Sequence, residues 1–464
     1  MSERSWPPLP PKNESEADKA ARLAAEKEAK RIRYVCTGFL LRRAFLTCPR
    51  DPVSDEIDRA LEQERQELRK HRPQTKILLL GQAESGKSTM IKNFQLYFCP
   101  SSFHAETEAW RAVIHLNLAR FVNYLLHVLS NANTGPTRDY RMLQMRLSPL
   151  KQVELIVTRC LSAESCPIAT PTEDKPVLRS ESATEVSIRG GTGWKSFMRR
   201  RRGSQSKVLA NVDDLEDARR ILDACKEDIV ALWKSPAIRV LEEEGADLHH
   251  HARYFVEHAA RVADIKYTPT TDDILRARLR TVGVEEYRMT METAAEKGAE
   301  WVFYDVGGQR SQRVSWASYF EDVNAMIFLC PMSGFNQRLS EDRSVNRLYD
   351  SMELWETVCR SKLLGKATFI LLLNKADLLR SKLRAGVQFG DYIMNFDRER
   401  PNTVEEVSTY IRKEMTEVHR VYSPQKRQLH VHLTCAIDPS LMSAVLNSIR
   451  DVILVDILHR TTLL

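Results

Sequence analysis

The sequence predicts an α/β fold with a second, all-helical body inserted into it, and three observations carry that reading. Short apolar runs alternate with longer helical patterns, which is the order of parallel βαβ units in a doubly wound sheet. A glycine-rich G-x-x-x-x-G-K-S loop follows the first apolar run. The stretch from about 100 to 270 breaks the alternation and carries helical periodicity instead.

Composition agrees with a multidomain soluble chain. At 464 residues, about two to four domains are expected. Hydrophobic residues make up 43% and charged residues 28%, ordinary for a globular protein. The 69 basic and 62 acidic residues leave a net charge of only +7, and no nucleic-acid partner is expected. The 9 cysteines contain no C-x-x-C pair, which excludes a zinc or disulfide framework and suits a reducing compartment. No run reaches the roughly 18 apolar residues of a membrane span. Position 2 is Ser2, so the N-myristoylation pattern is absent.

Taken in chain order, residues 1–53 read as a partly disordered extension. Its 12–33 stretch favours helix by composition, and Val35 to Cys48 is a basic-apolar segment able to lie on a membrane surface. Residues 54–73 read as a charged helix that Ser54 could cap and Pro73 ends. Lys76 to Leu80 is the first buried strand. Trp301 to Tyr304, Ala325 to Cys330, Thr368 to Leu373 and Leu429 to Leu433 are the others. Ser340 to Arg360 and Thr403 to Tyr422 read as helices between them. Within the inserted region, Ala105 to Leu129, Val212 to Leu241 and His249 to Ala263 have helical spacing. Residues 162–207, rich in Ser, Thr, Pro and Gly, read as a disordered insertion.

The chemistry begins at Gly81-Gln-Ala-Glu-Ser-Gly86-Lys87-Ser88, placed after a strand and opening a helix. Glycines let backbone N–H groups wrap phosphates, Lys87 supplies a positive charge, and the Ser88 hydroxyl suits Mg²⁺. Asn374-Lys375-Ala376-Asp377 follows a later strand. The Asp377 carboxylate can accept from the guanine N1–H and amine, a donor pair that adenine lacks. The Lys375 stem can cover the base face, and the Ala436 N–H in Thr434-Cys435-Ala436 can meet the guanine O6. Asp305-Val-Gly-Gly308-Gln309 ends another strand. There Asp305 can hold Mg²⁺ through water, Gly308 can meet a γ-phosphate, and Gln309 can orient an attacking water. In Leu275-Arg-Ala-Arg-Leu-Arg-Thr281, an extended backbone would set Arg276, Arg278 and Arg280 on one face. One arginine could stabilise transition-state charge, and Thr281 could complete the Mg²⁺ shell.

Together, GQAESGKST (81–89), DILRARLRTVG (273–283), DVGGQR (305–310), NKAD (374–377) and TCA (434–436) resemble the α subunits of heterotrimeric G proteins. Roughly 54–160 and 210–464 resemble the family. The resemblance implies a Ras-like P-loop GTPase domain over 74–99 and 270–464, with an all-helical domain over 100–269. It implies a GTP-hydrolysing switch that holds GTP or GDP with Mg²⁺. Glu84, Ser85, Gly86, Lys87, Ser88, Thr89 and Gly308 would bind the phosphates, and Arg278 and Gln309 would be catalytic. Leu275, Arg276 and Thr281 would contact nucleotide from the first switch. Asn374, Lys375, Asp377, Cys435 and Ala436 would read guanine. Ser88, Thr281 and, through water, Asp305 would hold the metal. The implied partners are a βγ dimer, a seven-helix receptor, an effector and an RGS-type GTPase activator. The implied place is the cytoplasmic face of the plasma membrane, peripherally, and the cytoplasm.

The chain departs from the family at several points. Ala83 stands where the family has glycine, and Val282 replaces a threonine. Gln312, Val314 and Ser315 replace an acidic residue and a basic pair. This divergence suits a fungal paralogue. It also keeps open a second reading, a nucleotide-holding scaffold with little turnover. The His249-His250-His251 run cannot converge on a metal from one helix, and Arg199 to Arg202 reads as a solvated basic run.

Overall fold

The computed structural model describes residues 74–131, 138–162, 187–189, 205–243, 250–294, 296–423 and 427–462. The expected extension (1–53), the expected helix (54–73) and the Arg199 to Arg202 run lie outside the described residues.

Six strands form the main sheet. They are β1 (Thr75–Leu80), β4 (Val284–Thr290), β5 (Glu300–Val306), β6 (Ala325–Pro331), β7 (Thr368–Asn374) and β8 (Leu429–Leu433), in the spatial order β4-β5-β1-β6-β7-β8. Five are parallel; β4 runs antiparallel to β5, with Val284 opposite Val306 and Thr290 opposite Glu300. The five strands expected from sequence are the parallel ones, and β4 adds an antiparallel strand that was not among them. β4 is an edge strand with Glu286, Arg288 and Thr290 exposed, so it lacks the continuous apolar run that marks a buried strand.

Side-chain alternation sends each buried strand into two cores. Ile77 and Leu79 pack with Phe94, Trp301, Phe303, Leu446 and Ile449 on one face. Leu78 and Leu80 pack with Phe328, Trp355, Phe369 and Ile411 on the other. The covering helices are α1 (Lys87–Phe98), α11 (Arg347–Arg360), α12 (Ala376–Arg384), α13 (Val404–Tyr422) and α14 (Pro439–Thr462). α11 begins at Arg347 rather than Ser340 because Asn346 caps it, accepting from Leu348 N and Tyr349 N.

A third core belongs to helices only. It is built around α3 (Thr107–Asn131), with α2 (Pro100–Ala105), α4 (Arg138–Arg146), α5 (Leu150–Ser162), α6 (Gln205–Trp233), α7 (Pro236–Glu243), α8 (His250–Glu257) and α9 (Ala259–Val262). α3 is apolar and long enough to cross a membrane, but Val113, Leu116, Leu118, Phe121 and Leu125 are buried in this core. Two parts of the 162–207 stretch expected to be disordered are regular. α6 starts at Gln205, and β2 (Ser187–Arg189) pairs in parallel with β3 (Arg280–Val282), Ile188 opposite Thr281. The Val-Ser-Ile-Arg sequence ending at Arg189 has the β-branched alternation that suits such a strand.

The chain returns to the sheet through α10 (Thr271–Arg276), a short helix closed by a reciprocal capping box between Thr270 and Asp273. Asp273 is fully buried and also accepts from both Arg261 terminal nitrogens at 2.7 and 2.8 Å and from Tyr267 Oη at 2.9 Å. Burial alone would raise its carboxyl pKa, but the Arg261, Thr270 and Tyr267 hydrogen bonds outweigh this and hold it below the usual range. Its stabilisation is therefore complete above the unfolded value of about 3.9 and is lost as pH falls through the lower folded value. Asp273→Asn should cost about 1–3 kcal/mol at neutral pH, read as a lower midpoint in urea unfolding. The gap between variant and parent should narrow in strong acid.

Candidate functional site

The site forms where β1, β5, β6 and β7 end. β1 passes into the loop 81–86, whose turn needs left-handed backbone at Glu84 (φ 61°) and Gly86 (φ 104°). Gly81 is held by a neighbour as well, since a Cβ there would lie 2.6 Å from the Leu329 carbonyl oxygen. Lys87 opens α1 and folds back over the loop, donating to Gly81 O at 2.9 Å and Gln82 O at 2.7 Å. Burial pushes its ammonium down to about 8 against the opposing pull of Asp305. Among the described residues, Ser85 Oγ is buried without a hydrogen-bond partner. A looped backbone at a helix N-terminus, a buried cation and an orphaned hydroxyl make a cradle that fits an anion.

The other motifs converge here. Ser88 Oγ donates to Asp305 Oδ2 at 2.6 Å, and Asp305 is fully buried at the end of β5. These are hard oxygen donors of the kind that suits Mg²⁺. Thr281 lies in β3, but its side chain is outside the described set. Gly308 lies directly against the loop, since a Cβ on it would be 2.2 Å from Ala83 N. Gln309 follows, half-buried, just before the 3-10 segment Arg310–Tyr319. Thr89, one turn into α1, is half-buried, and its carbonyl accepts from Asn93 Nδ2 at 2.9 Å.

On the base side, Asn374 is engaged within the protein. Its Nδ2 donates to Ser85 O at 2.8 Å, and its Oδ1 accepts from Ala436 N and Thr434 Oγ1, each at 3.2 Å. The Ala436 N–H expected to meet the guanine O6 is thus directed at Asn374. Lys375 takes left-handed backbone (φ 64°) and caps α12, which leaves Asp377 in the first helical turn. Burial, then repulsion from Arg347, pushes the Lys375 ammonium down to about 7. Cys435 is buried beside Asp377 and hydrogen-bonds to it.

The arginine stretch differs from expectation. Because α10 runs to Arg276, the arginines at 276 and 278 do not share an extended face. Arg276 pairs with Asp272 and lies over the Tyr254 ring at 4.5 Å, on the helical-domain side, and Leu275 is buried. Arg278 Nη2 meets Glu84 Oε1 at 2.7 Å. Glu84 Oε2 is 3.3 Å from Arg347 Nη1. Desolvation would raise the Glu84 carboxyl, but Arg278, Arg347 and Lys375 hold it well below its ordinary value. A cavity of about 380 Å³ opens here, lined by Glu84, Arg278, Gly308, Arg313, Arg347 and Lys375 among others.

The family model for the G-protein alpha subunit matches residues 51–453. The chain belongs to that family. Its members bind guanine nucleotides and hydrolyse GTP as signalling switches, and the chain is an alpha subunit of this kind. It is similar to the guanine nucleotide-binding protein alpha-4 subunit of Mycosarcoma maydis, at 29% identity over an alignment of 573 positions that takes in 98% of this chain and 94% of that protein. It is similar to a guanine nucleotide-binding protein subunit alpha of Candida albicans (strain WO-1), at 28% identity over 86% of this chain and 92% of that protein. The alpha-15 subunit of Caenorhabditis elegans is 34% identical over 53% of this chain and 67% of its own length.

Several residues of this alpha subunit's site went unread in the sequence. Buried Gln82 donates through Nε2 to Arg347 O at 2.7 Å and to Asp350 Oδ2. Asp350, fully buried, also accepts from Arg310 Nε at 2.9 Å and Arg313 Nη2 at 2.6 Å, which ties the 3-10 segment to α11. Asn117 and Lys92 hold the backbone before β3. A polar residue in the apolar stretch of α3 was the only signal for Asn117.

Gly308→Ala tests the close approach of the two loops. The added methyl would collide with backbone at 2.2 Å, so the segment after β5 must move away from residue 83. A displacement of about 1 Å costs on the order of 10²-fold in a positioned reaction. Single-turnover GTP hydrolysis should fall by about that factor, with GDP affinity within about threefold.

Proposed function

We propose that the site residues divide the work of GTP hydrolysis as follows. The 81–86 loop, the α1 N-terminus and Lys87 bind the phosphates. Gln309 orients a water for in-line attack on the γ-phosphorus. The new P–O bond forms as the bond to the β-phosphate oxygen breaks, and the water's proton passes to the departing phosphate. Arg278 stabilises charge spread over the transferring group. Ser88, Thr281 and, through water, Asp305 would hold Mg²⁺, whose charge would offset the negative charge of the phosphates. The observation that carries this reading is the meeting of Ser88 with Asp305, Arg278 with Glu84 and Gly308 with Ala83 around the phosphate loop and the start of α1. Arg278 is parked on Glu84 and must leave it to reach a γ-phosphate, while Arg347 keeps Glu84 paired.

Guanine is read by Asp377, with the Lys375 stem over the base face. Asn374 acts on the base indirectly, by holding the Thr434-Cys435-Ala436 turn against the phosphate loop. An Ala436 N–H directed at Asn374 would have to be shared with the base.

The partners we propose are a βγ dimer, a seven-helix receptor, an effector and an RGS-type activator. α14 supports the receptor contact, since it leaves Val455 and Leu458 more than half exposed. The protein would work peripherally at the cytoplasmic face of the plasma membrane and in the cytoplasm, through the 35–48 segment, alone or with βγ.

Single-turnover hydrolysis tests the chemistry. Arg278→Cys should slow it by about 10³- to 10⁵-fold while nucleotide affinity stays within a few-fold. An unchanged rate would remove Arg278 from the mechanism. Asp377→Asn tests the base contact by competition binding. GTP affinity should fall by orders of magnitude and xanthosine triphosphate should lose less, whereas unaltered GTP binding would refute guanine readout by Asp377.

A further inference from the structure

Arg278 sits in the irregular stretch 277–279 between α10 and β3, with its backbone N–H and carbonyl outside any described strand. One side chain of the helical domain serves both groups. Asn117 Oδ1 accepts from Arg278 N at 2.7 Å, and Asn117 Nδ2 donates to Arg278 O at 3.0 Å. That two-point pattern fixes the peptide planes on both sides of one Cα, and so the direction in which the side chain leaves the backbone. Asn117 is well anchored, for its neighbours Leu116 and Leu118 are fully buried in the middle of α3. Just upstream, Lys92 of α1 donates to Ile274 O at 2.9 Å and Ala277 O at 2.7 Å and lies over the Trp110 ring at 4.0 Å. Lys92 holds the approach to Arg278, and Asn117 holds Arg278 itself.

We infer that Asn117 is a positioning residue for Arg278, through which the helical domain aims the arginine at the phosphates. The inference rests on the proposed role of Arg278. Full-length protein carrying Asn117→Ala should lose about 10- to 100-fold in single-turnover hydrolysis, the scale of a roughly 1 Å misplacement. Affinity for a non-hydrolysable GTP analogue should stay within about threefold. Asn117→Asp keeps the shape and the acceptor but loses the donor. It should show an intermediate loss, and it carries the test if the alanine variant does not fold. The deciding readout is the double variant with Arg278→Cys. Once the arginine is gone its placement no longer matters, so Asn117→Ala should slow that background by less than about twofold. Equal losses in both backgrounds, or no loss in the parent, overturn the role of Asn117. An Arg278→Cys protein that hydrolyses normally overturns the role of Arg278 and this inference with it.

A separate observation concerns β2. Its backbone pairs with β3, placing Ile188 opposite Thr281 in the first-switch segment. We propose that this strand restrains the first switch in cis. Proline lacks the N–H of a ladder and disfavours sheet interiors, so Ile188→Pro should break the pairing without shortening the chain. Hydrogen exchange of 280–282 in the GDP-bound protein should speed up by at least about tenfold in the variant, while exchange in β1 stays constant. Unchanged exchange at 280–282 overturns the proposal.

Discussion

The Asn374 carboxamide, nearly fully buried where β7 ends, bonds to groups from two distant parts of the chain. It donates to the phosphate loop at Ser85 and accepts from Thr434 and Ala436 after β8. β1, β7 and β8 therefore end at related heights, and the loops that follow them face one cavity. A buried amide left without these partners would carry a large desolvation penalty, so the arrangement is all or none. It also accounts for Gly86, because a Cβ there would lie 2.4 Å from Asn374 Nδ2. The phosphate side and the base side of the site are thus one hydrogen-bonded unit.

Charge organises the opposite wall. Burial would raise the Asp350 carboxyl, but Arg313, Gln82 and Arg310 hold it below its usual range, so it stays an acceptor at the junction of loop, 3-10 segment and α11. Glu84 has the same character on the cavity side, where Arg278 and Arg347 flank it. At Glu84 one carboxylate meets two guanidiniums, which leaves excess positive charge close to where phosphates would sit, whereas Arg310 is shared between Asp350, Asp342 and Glu353. That excess suits a polyanionic ligand, and it adds to burial, the larger cause, in lowering the pKa of nearby Lys375. Gln82, Arg310 and Arg313 link the Arg310–Tyr319 segment to the phosphate loop through Asp350.

The helical domain is more than a lid in this arrangement. Its helix α3 bonds the backbone of Arg278, its Tyr254 ring covers Arg276, and its Arg261 satisfies the Asp273 of the α10 capping box. The connection from helices back to sheet is therefore determined from both sides, by Asn117 and Arg261 on one and by Lys92 on the other.

The sequence by itself determined the buried strands, the nucleotide loops and the presence of a helical insertion. Each of these is written locally. A fully buried strand must be a short apolar run, and a phosphate turn must place glycine, lysine and serine at fixed spacing. The tertiary structure alone decided what depends on distant partners. β4 is an edge strand whose charged face hides its pattern, and the Ser187–Arg189 strand exists only because Arg280–Val282 lies beside it. The alternating arginines suggested one extended face, but a capping box makes α10 and turns Arg276 away from Arg278. Asn117 and Arg278 are 161 positions apart, and Gln82 and Asp350 are 268 apart. Side-chain hydrogen bonds over such separations leave no periodicity to read, because their geometry arises only after the two cores have packed.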